Sequence, residues 1–322
     1  MRVLLTGGTG FIGSHTVRAL LQFGLHDVAV LVRPGADTWR LDDVLSRLTL
    51  IAGDLCRLDE SRAAVERFAP EAVVHLAWSG VLGAERNNPR QDDNIQAALD
   101  CVRLAHAAGA RHWIGLGSQA EYGPCGQRID ESMPTRPTTR YGQAKLAASR
   151  QTQRLCRSLG LRFAWLRLFS CYGPQDHPSW LVPYVALALL RGERPAVTLG
   201  QQRWDYLYVS DAAEAICHAV QTSSASGVFN VGSGQTETIR RIIEVLRDSI
   251  DPALSIGLGE VSYRPDQVMH LEANIERLTR ATGWRPRIEL TIGLAKTVAW
   301  YRAQAAQQRL VTGNYIKETL AR

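Results

Sequence analysis

The stretch "RVLLTGGTGFIGSHTVRALLQFG", residues 2–24, decides the fold. Arg2 to Thr6 is a short apolar run of the kind that forms a buried strand. Residues 14–24 carry apolar side chains at helical spacing and end on Gly24, a natural helix stop. Between them, Gly7, Gly10 and Gly13 fall in a strand-to-helix turn. In such a turn the first glycine allows the tight bend and the second lets backbone approach a pyrophosphate. The third lets the helix pack closely on the strand. The free N–H groups and partial positive charge of the helix N-terminus then suit the phosphates. This stretch predicts a dinucleotide site.

The pattern continues outward. "DVAVLV" (27–32), "LTLIAGD" (48–54), "AVVHLA" (72–77) and "WIGLG" (113–117) read as four further strands. Helical patterns such as "DNIQAALDCVRLAHAAG" (93–109) fall between them. Strands that are almost continuously apolar, alternating with helices, predict a parallel sheet covered on both faces. The fold class is therefore α/β, a Rossmann-type doubly wound sheet. Asp54, directly after the third strand, is placed to accept a hydrogen bond from an adenine amino group. It is equally placed to cap a helix beginning in "CRLDESRAAV", and the sequence leaves both readings open. At the end of the second strand, an acid would pair with a ribose 2′-hydroxyl, whereas an arginine suits a 2′-phosphate. "LVRPG" offers Val32 and Arg33 with no acid before Asp37, which favours NADP(H) over NAD(H).

Composition narrows the class. With 322 residues and 45% hydrophobic content, the chain can build two core-forming units. No apolar run reaches the length of a membrane span. "MRVLLTGGTG" goes directly into a strand without the pattern of a signal peptide. Six cysteines are scattered without C-x-x-C spacing, which suits a reducing cytoplasm and offers no metal site. The net charge of +6 comes from dispersed arginines, so no nucleic-acid role is expected, and the excess suits anionic phosphate ligands.

"RYGQAKLAAS" (140–149) places Tyr141 and Lys145 one helical turn apart, and Lys145 is one of only three lysines. Together with "TGGTGFIG", "GDL", "HLAW", "GSQAEYG", "LRLFSCYGP", "WDYLYVSD" and "FNVGSG", this segment resembles an extended short-chain dehydrogenase/reductase of the nucleotide-sugar epimerase/dehydratase family. The resemblance runs from Met1 to about Gln304.

It implies that Ser118, Tyr141 and Lys145 are catalytic. A free phenol titrates near pH ~10. A nearby ammonium and a positive nicotinamide ring would favour its phenolate, so that Tyr141 exchanges a proton with a substrate oxygen. Lys145 would also hold the nicotinamide ribose, and Ser118 would hydrogen-bond the same substrate oxygen. Thr9, Phe11 and Ile12 in the glycine turn, Leu55 in "GDL", and Leu76 and Ala77 in "HLAW" would line the cofactor. Ser79, Gln119, Ser170, Arg203 and Arg264 would line a nucleoside-diphosphate sugar. The expected division is a cofactor domain of residues 1–166 with about 204–222, a nucleotide-sugar lobe of about 167–203 and 223–310, and a tail at 311–322. A homodimer is implied, paired through Asn94 to Ala108 and Tyr141 to Leu159.

Three departures from the family pattern carry information. Ser170 stands where relatives often have asparagine, and Trp204 where they have an arginine, with Arg203 adjacent as a substitute. Sugar 4,6-dehydratases usually place an Asp–Glu pair directly after the catalytic Ser/Thr, whereas this chain has Gln119 and Ala120. Glu121 is one residue out of register and would point the other way if the segment were extended. Elimination is therefore disfavoured. The expected reaction is NADPH-dependent reduction of a nucleotide-linked 4-keto-6-deoxyhexose. The alternatives are a 4-epimerase that retains NAD and, less favoured, a cofactor-sensing protein without turnover.

Overall fold

The computed structural model describes residues 1–25, 27–264 and 267–306; the tail expected at 311–322 lies outside them. Its centre is a seven-stranded sheet in which every pairing is parallel. Five strands come in chain order: β1 (Arg2–Thr6), β2 (Asp27–Val32), β3 (Thr49–Ala52), β4 (Ala72–His75) and β5 (His112–Ser118). Across the sheet the order is Gly227–Val231, Arg162–Leu168, β5, β4, β1, β2, β3. The winding reverses between β1 and β4, and open α/β sheets bind ligands in the crevice at such a reversal.

Alternation along each strand supplies one core per face. Val3, Leu5, Val28, Val30 and Ile114 face one side, packing on Leu20 of α1 (Phe11–Gln22) and on Ala212 and Ile216. Leu4, Ala29, Leu31, Val73 and Trp113 face the other, against Ala98 and Val102 of the helix Asp93–Ala107 and Ala148 of the helix Arg140–Ser158. The sheet is thus doubly wound, as the sequence predicts.

A smaller assembly stands beside the crevice. It has a four-stranded sheet in the order Glu237–Thr238, Arg203–Trp204, His270–Ala273, Arg128–Ile129. Its helices Leu181–Leu190, Ile239–Ile250 and Leu290–Ala306 pack through Val185, Leu189, Ile243, Leu246, Leu294 and Val298.

Three sequence readings change, the first being Arg128–Ile129, which is assigned to the cofactor domain and joins the smaller sheet beside His270–Ala273. Gly227–Val231, assigned to the smaller lobe, pairs with Arg162–Leu168 and forms an edge of the large sheet. Its Phe229 and Val231 are apolar and buried against the large core, so they extend that sheet. Gln119–Glu121 is a turn of 3-10 helix, not an extended segment. Ser118 forces that turn: its hydroxyl accepts the Ala120 N–H while the Glu121 carboxylate accepts the Ser118 N–H, a reciprocal cap.

Candidate active site

The glycine turn lies at the reversal between β1 and β4. Gly7 adopts φ +74°, and a Cβ there would come 2.6 Å from the Ala77 nitrogen. A Cβ on Gly13 would come 2.0 Å from the Gly7 carbonyl oxygen. Both contacts are too close for any side chain, so the turn and the strand end after β4 can meet only as bare backbone. Gly10 is exposed at the N-cap of α1, which has neither a capping side chain nor an acid in its first turn. The helix N–H groups are therefore left for a ligand, and an anion such as a pyrophosphate fits the cradle. Thr9, Phe11 and Ile12 are half-buried around it, as are Leu76 and Ala77 across the crevice.

Farther along the sheet edge, Arg33, Pro34, Gly35, Ala36, Asp54 and Arg57 line a hollow of about 270 Å³. Asp54 does cap the turn beginning at Leu55, since its Oδ1 accepts the Cys56 N–H at 2.9 Å. It also lines the hollow, and of the two sequence readings the cap is the one the structure shows.

Tyr141 and Lys145 enter the crevice from the first turns of Arg140–Ser158, a helix capped by Thr139 through the Gly142 N–H. Ala77 touches Gly7, and its neighbour Trp78 touches both of these residues. The catalytic candidates and the glycine turn therefore share one crevice. Ser118, at the end of β5, is near enough to the Tyr141 phenol to favour its ionised form.

The charges differ from the sequence expectation. Lys145 is buried, its Nζ donates to the Leu116 carbonyl at 2.6 Å and lies 3.7 Å over the Trp78 ring, and it stands 5.9 Å from the Tyr141 ring centre. Burial lowers its pKa to about 7, opposed by the Glu121 carboxylate. Burial pushes the Tyr141 phenol up from its ordinary value, opposed first by Arg86 and then by the Ser118 side chain. Two cations thus stand near the phenol ring, and Arg86 is the nearer of them. Its guanidinium carbon lies 4.2 Å over the Tyr141 ring.

Glu121 is fully buried beneath Ser118. Its carboxylate accepts from the Ser118 N–H at 2.9 Å, from Trp165 Nε1 at 2.8 Å and from Arg167 Nε at 2.8 Å. It fastens the turn after Ser118 to the sheet, with its side chain wholly inside the protein. Arg167 in turn lies over the Tyr122 ring, whose hydroxyl donates to Asn230.

The remaining candidates are spread out. Ser79 is exposed and held by its N–H to Asn94 Oδ1, and Gln119 is half-buried beside Ser118. Ser170 accepts from Trp204 Nε1, so these two departures from the family pattern bond to each other. Arg203 turns to Thr236, donating to its hydroxyl at 3.2 Å and its carbonyl at 3.3 Å. Arg264 is exposed and near enough to Arg86 for their charges to repel. Sequence reading missed Arg86 and Trp78. Trp78 closes the "HLAW" motif at a strand end, which is a usable signal, whereas nothing in "GAERNN" marks Arg86.

A dinucleotide cradle at a sheet reversal, with a Ser–Tyr–Lys cluster across the crevice, defines a class of nucleotide-dependent α/β enzyme. Comparison with known proteins names the family. Residues 3–232 match the profile of the NAD dependent epimerase/dehydratase family, and the chain is an enzyme of that family. It is 28% identical to a UDP-glucose 4-epimerase of Corynebacterium glutamicum, over 89% of this chain and 91% of that one. It is 25% identical to a dTDP-glucose 4,6-dehydratase of Salmonella typhimurium, over 94% and 93%. Among solved structures, a UDP-N-acetylglucosamine 4-epimerase from Methanobrevibacter ruminantium aligns with TM-score 0.84 and 27% identity, covering 94% of this chain and 98% of that one. A Thermus thermophilus UDP-glucose 4-epimerase in complex with NAD aligns with TM-score 0.81 and 28% identity, covering 94% and 99%. No helix among the described residues is long and apolar enough to cross a membrane.

Proposed function

We propose that the enzyme carries out redox chemistry at one carbon of a nucleoside-diphosphate sugar, as an NADPH-dependent reductase of a nucleotide-linked 4-keto-6-deoxyhexose. The observation that supports this reading is the fate of the residues after Ser118. Gln119 and Ala120 have no proton to exchange, and Glu121 is locked under the turn by Trp165 and Arg167. Elimination needs an acid and a base there, whereas carbonyl reduction needs only Ser118, Tyr141 and Lys145. A bound nicotinamide would supply the hydride. Ser118 and Tyr141 would orient the sugar oxygen, Tyr141 would deliver its proton, and Lys145 would turn from Leu116 to the ribose hydroxyls. Arg33 and Arg57 flank the hollow at the adenosine end, which suits a 2′-phosphate. Residues 1–166 with 204–222 would hold the cofactor, with the nucleotide sugar gripped by 167–203 and the part of 223–310 outside the large sheet.

A second reading is a 4-epimerase that retains NAD. It is favoured by the UDP-glucose 4-epimerases among the relatives, one of them in complex with NAD. We also propose a cytoplasmic homodimer paired through the helices Asp93–Ala107 and Arg140–Ser158. Leu104 and Leu146 are buried within the protomer, whereas Ile95, Leu99 and Leu155 stay partly exposed. The deciding assay offers keto and non-keto nucleotide sugars with NADPH or NADH. Loss of one NADPH per keto sugar supports the reductase. Interconversion of two hydroxy sugars without net cofactor consumption would replace it with the epimerase.

A further inference from the structure

Arg86 lies in the loop after β4, on the turn Gly83–Asn87, and its side chain reaches back into the crevice. The loop is rigidly built. Gln91 is buried, and its amide donates to the carbonyls of Gly80 at 2.6 Å and Glu85 at 2.9 Å while accepting from Trp78 Nε1 at 2.9 Å. Asn87 accepts the Arg140 N–H at 3.2 Å, tying the loop to the start of the helix that carries Tyr141. Arg86 is thereby held over the Tyr141 ring, and no carboxylate forms a salt bridge with it among the described residues.

A half-buried guanidinium stacked on an aromatic face without a counter-ion has one obvious electrostatic partner, the ring and any charge that ring acquires. Lys145 is the more distant cation, 5.9 Å from the ring centre against 4.2 Å for Arg86, with its ammonium directed to Leu116 and Trp78. The other charge bearing on the phenol is Glu121, which opposes ionisation and is itself paired with Arg167. The Ser118 side chain favours the ionised phenol, and the charge of Arg264 bears unfavourably on that of Arg86.

We propose that Arg86 is an electrostatic positioning residue for Tyr141, stabilising the phenolate from the ring face while Lys145 serves the cofactor ribose. The proposal rests on Tyr141 being the proton-transfer group. It adds a second cation at the ring to Lys145, which the sequence assigns both to the phenol and to the ribose. A cation at this range, partly screened, should shift the phenol by about one pH unit, a tenfold change in phenolate fraction.

The test places 3-fluorotyrosine at position 141 alone and follows its single 19F resonance against pH in the otherwise native protein, and in Arg86→Gln, Arg86→Met and Arg86→Lys. The titration midpoint should rise by about one unit in Arg86→Gln and Arg86→Met, and Arg86→Lys should recover much of the difference. An unmoved midpoint in the neutral variants, with native circular dichroism, would overturn the proposal. If one neutral variant fails to fold, the other and Arg86→Lys still give the comparison. Kinetics supply an independent readout: the pH limb of kcat should move upward in Arg86→Gln with KM little changed. A rise in KM alone would overturn the proposal in favour of a substrate-phosphate contact. The catalytic role of Tyr141 is tested separately by whether Tyr141→Phe abolishes turnover, so the two ideas fail on different measurements.

Discussion

The glycine turn and the floor under Ser118 stand in the same crevice and are built by different forces. At the turn, backbone meets backbone, and what matters is the absence of side chains at Gly7 and Gly13. At the floor, charges are taken out of water and each is answered by another group: Glu121 by Arg167, Lys145 by Trp78, the Tyr141 ring by Arg86. The first region is steric and tolerates no addition. The second is electrostatic, so removing a partner leaves a buried charge uncompensated. One substitution can therefore abolish function at the floor without disturbing the turn, and the converse holds as well.

The largest effect is expected at Tyr141. Tyr141→Phe keeps the ring under Arg86 and against Trp78, so folding and cofactor binding should survive while turnover falls by ~10²–10⁴-fold. Steady-state kinetics beside a cofactor titration would check this, and near-normal turnover would break the electrostatic half of the comparison. Next comes Glu121→Gln, which leaves Arg167 buried without its carboxylate and should cost about 3–5 kcal/mol in unfolding free energy. Denaturant melts measure it. A loss of activity with unchanged stability would instead make Glu121 a direct participant in the chemistry.

At the turn, Gly13→Ala puts a Cβ 2.0 Å from the Gly7 carbonyl, so the backbone must move. The expected cost is about 1–3 kcal/mol, read as weaker cofactor binding by calorimetry with the Tyr141 environment unchanged. Unaltered affinity would show that the turn yields more readily than its contacts suggest.

The smallest effect contrasts Glu121 with another buried carboxylate. Asp176 accepts the His177 N–H at 2.7 Å, but no salt bridge reaches it among the described residues, and burial raises its pKa to about 8. In the unfolded chain it would titrate near ~3.9. Between those values the folded protein holds a proton that the unfolded chain does not, so this residue's contribution to stability falls as pH rises from about 4 to about 8. Asp176→Asn should therefore gain stability relative to the native chain progressively as pH rises from ~5 to ~8. Parallel pH–stability curves would contradict this.

The same contrast explains what was legible in the sequence. The cradle could be read from Gly7, Gly10 and Gly13 because a strand, a turn and a helix adjacent in the chain fix it. The strands could be read because both faces of the sheet are buried, which leaves continuous apolar runs such as "DVAVLV". The grouping of Tyr141, Lys145 and Ser118 could be read through motif resemblance. Their electrostatics could not, because Arg86 and Arg167 arrive from distant segments and nothing local marks them. For Glu121 the sequence reading assumes extended backbone, whereas the reciprocal cap with Ser118 makes the segment helical and sends the side chain into the core. The edge strand Gly227–Val231 was assigned to the wrong unit because a short apolar run does not reveal which sheet it will join.

The central claim is that this site exchanges hydride and proton at one sugar carbon and breaks no C–O bond. Its most direct test incubates the enzyme with cofactor and UDP- and dTDP-hexoses or their 4-keto forms in deuterated water, and follows the products by mass spectrometry and proton NMR. The expected product has the mass of the substrate, or two hydrogens more, with the proton at C5 retained. A product lighter by one water, carrying solvent deuterium at C5, would contradict the account and give the eliminating role to a residue other than Glu121.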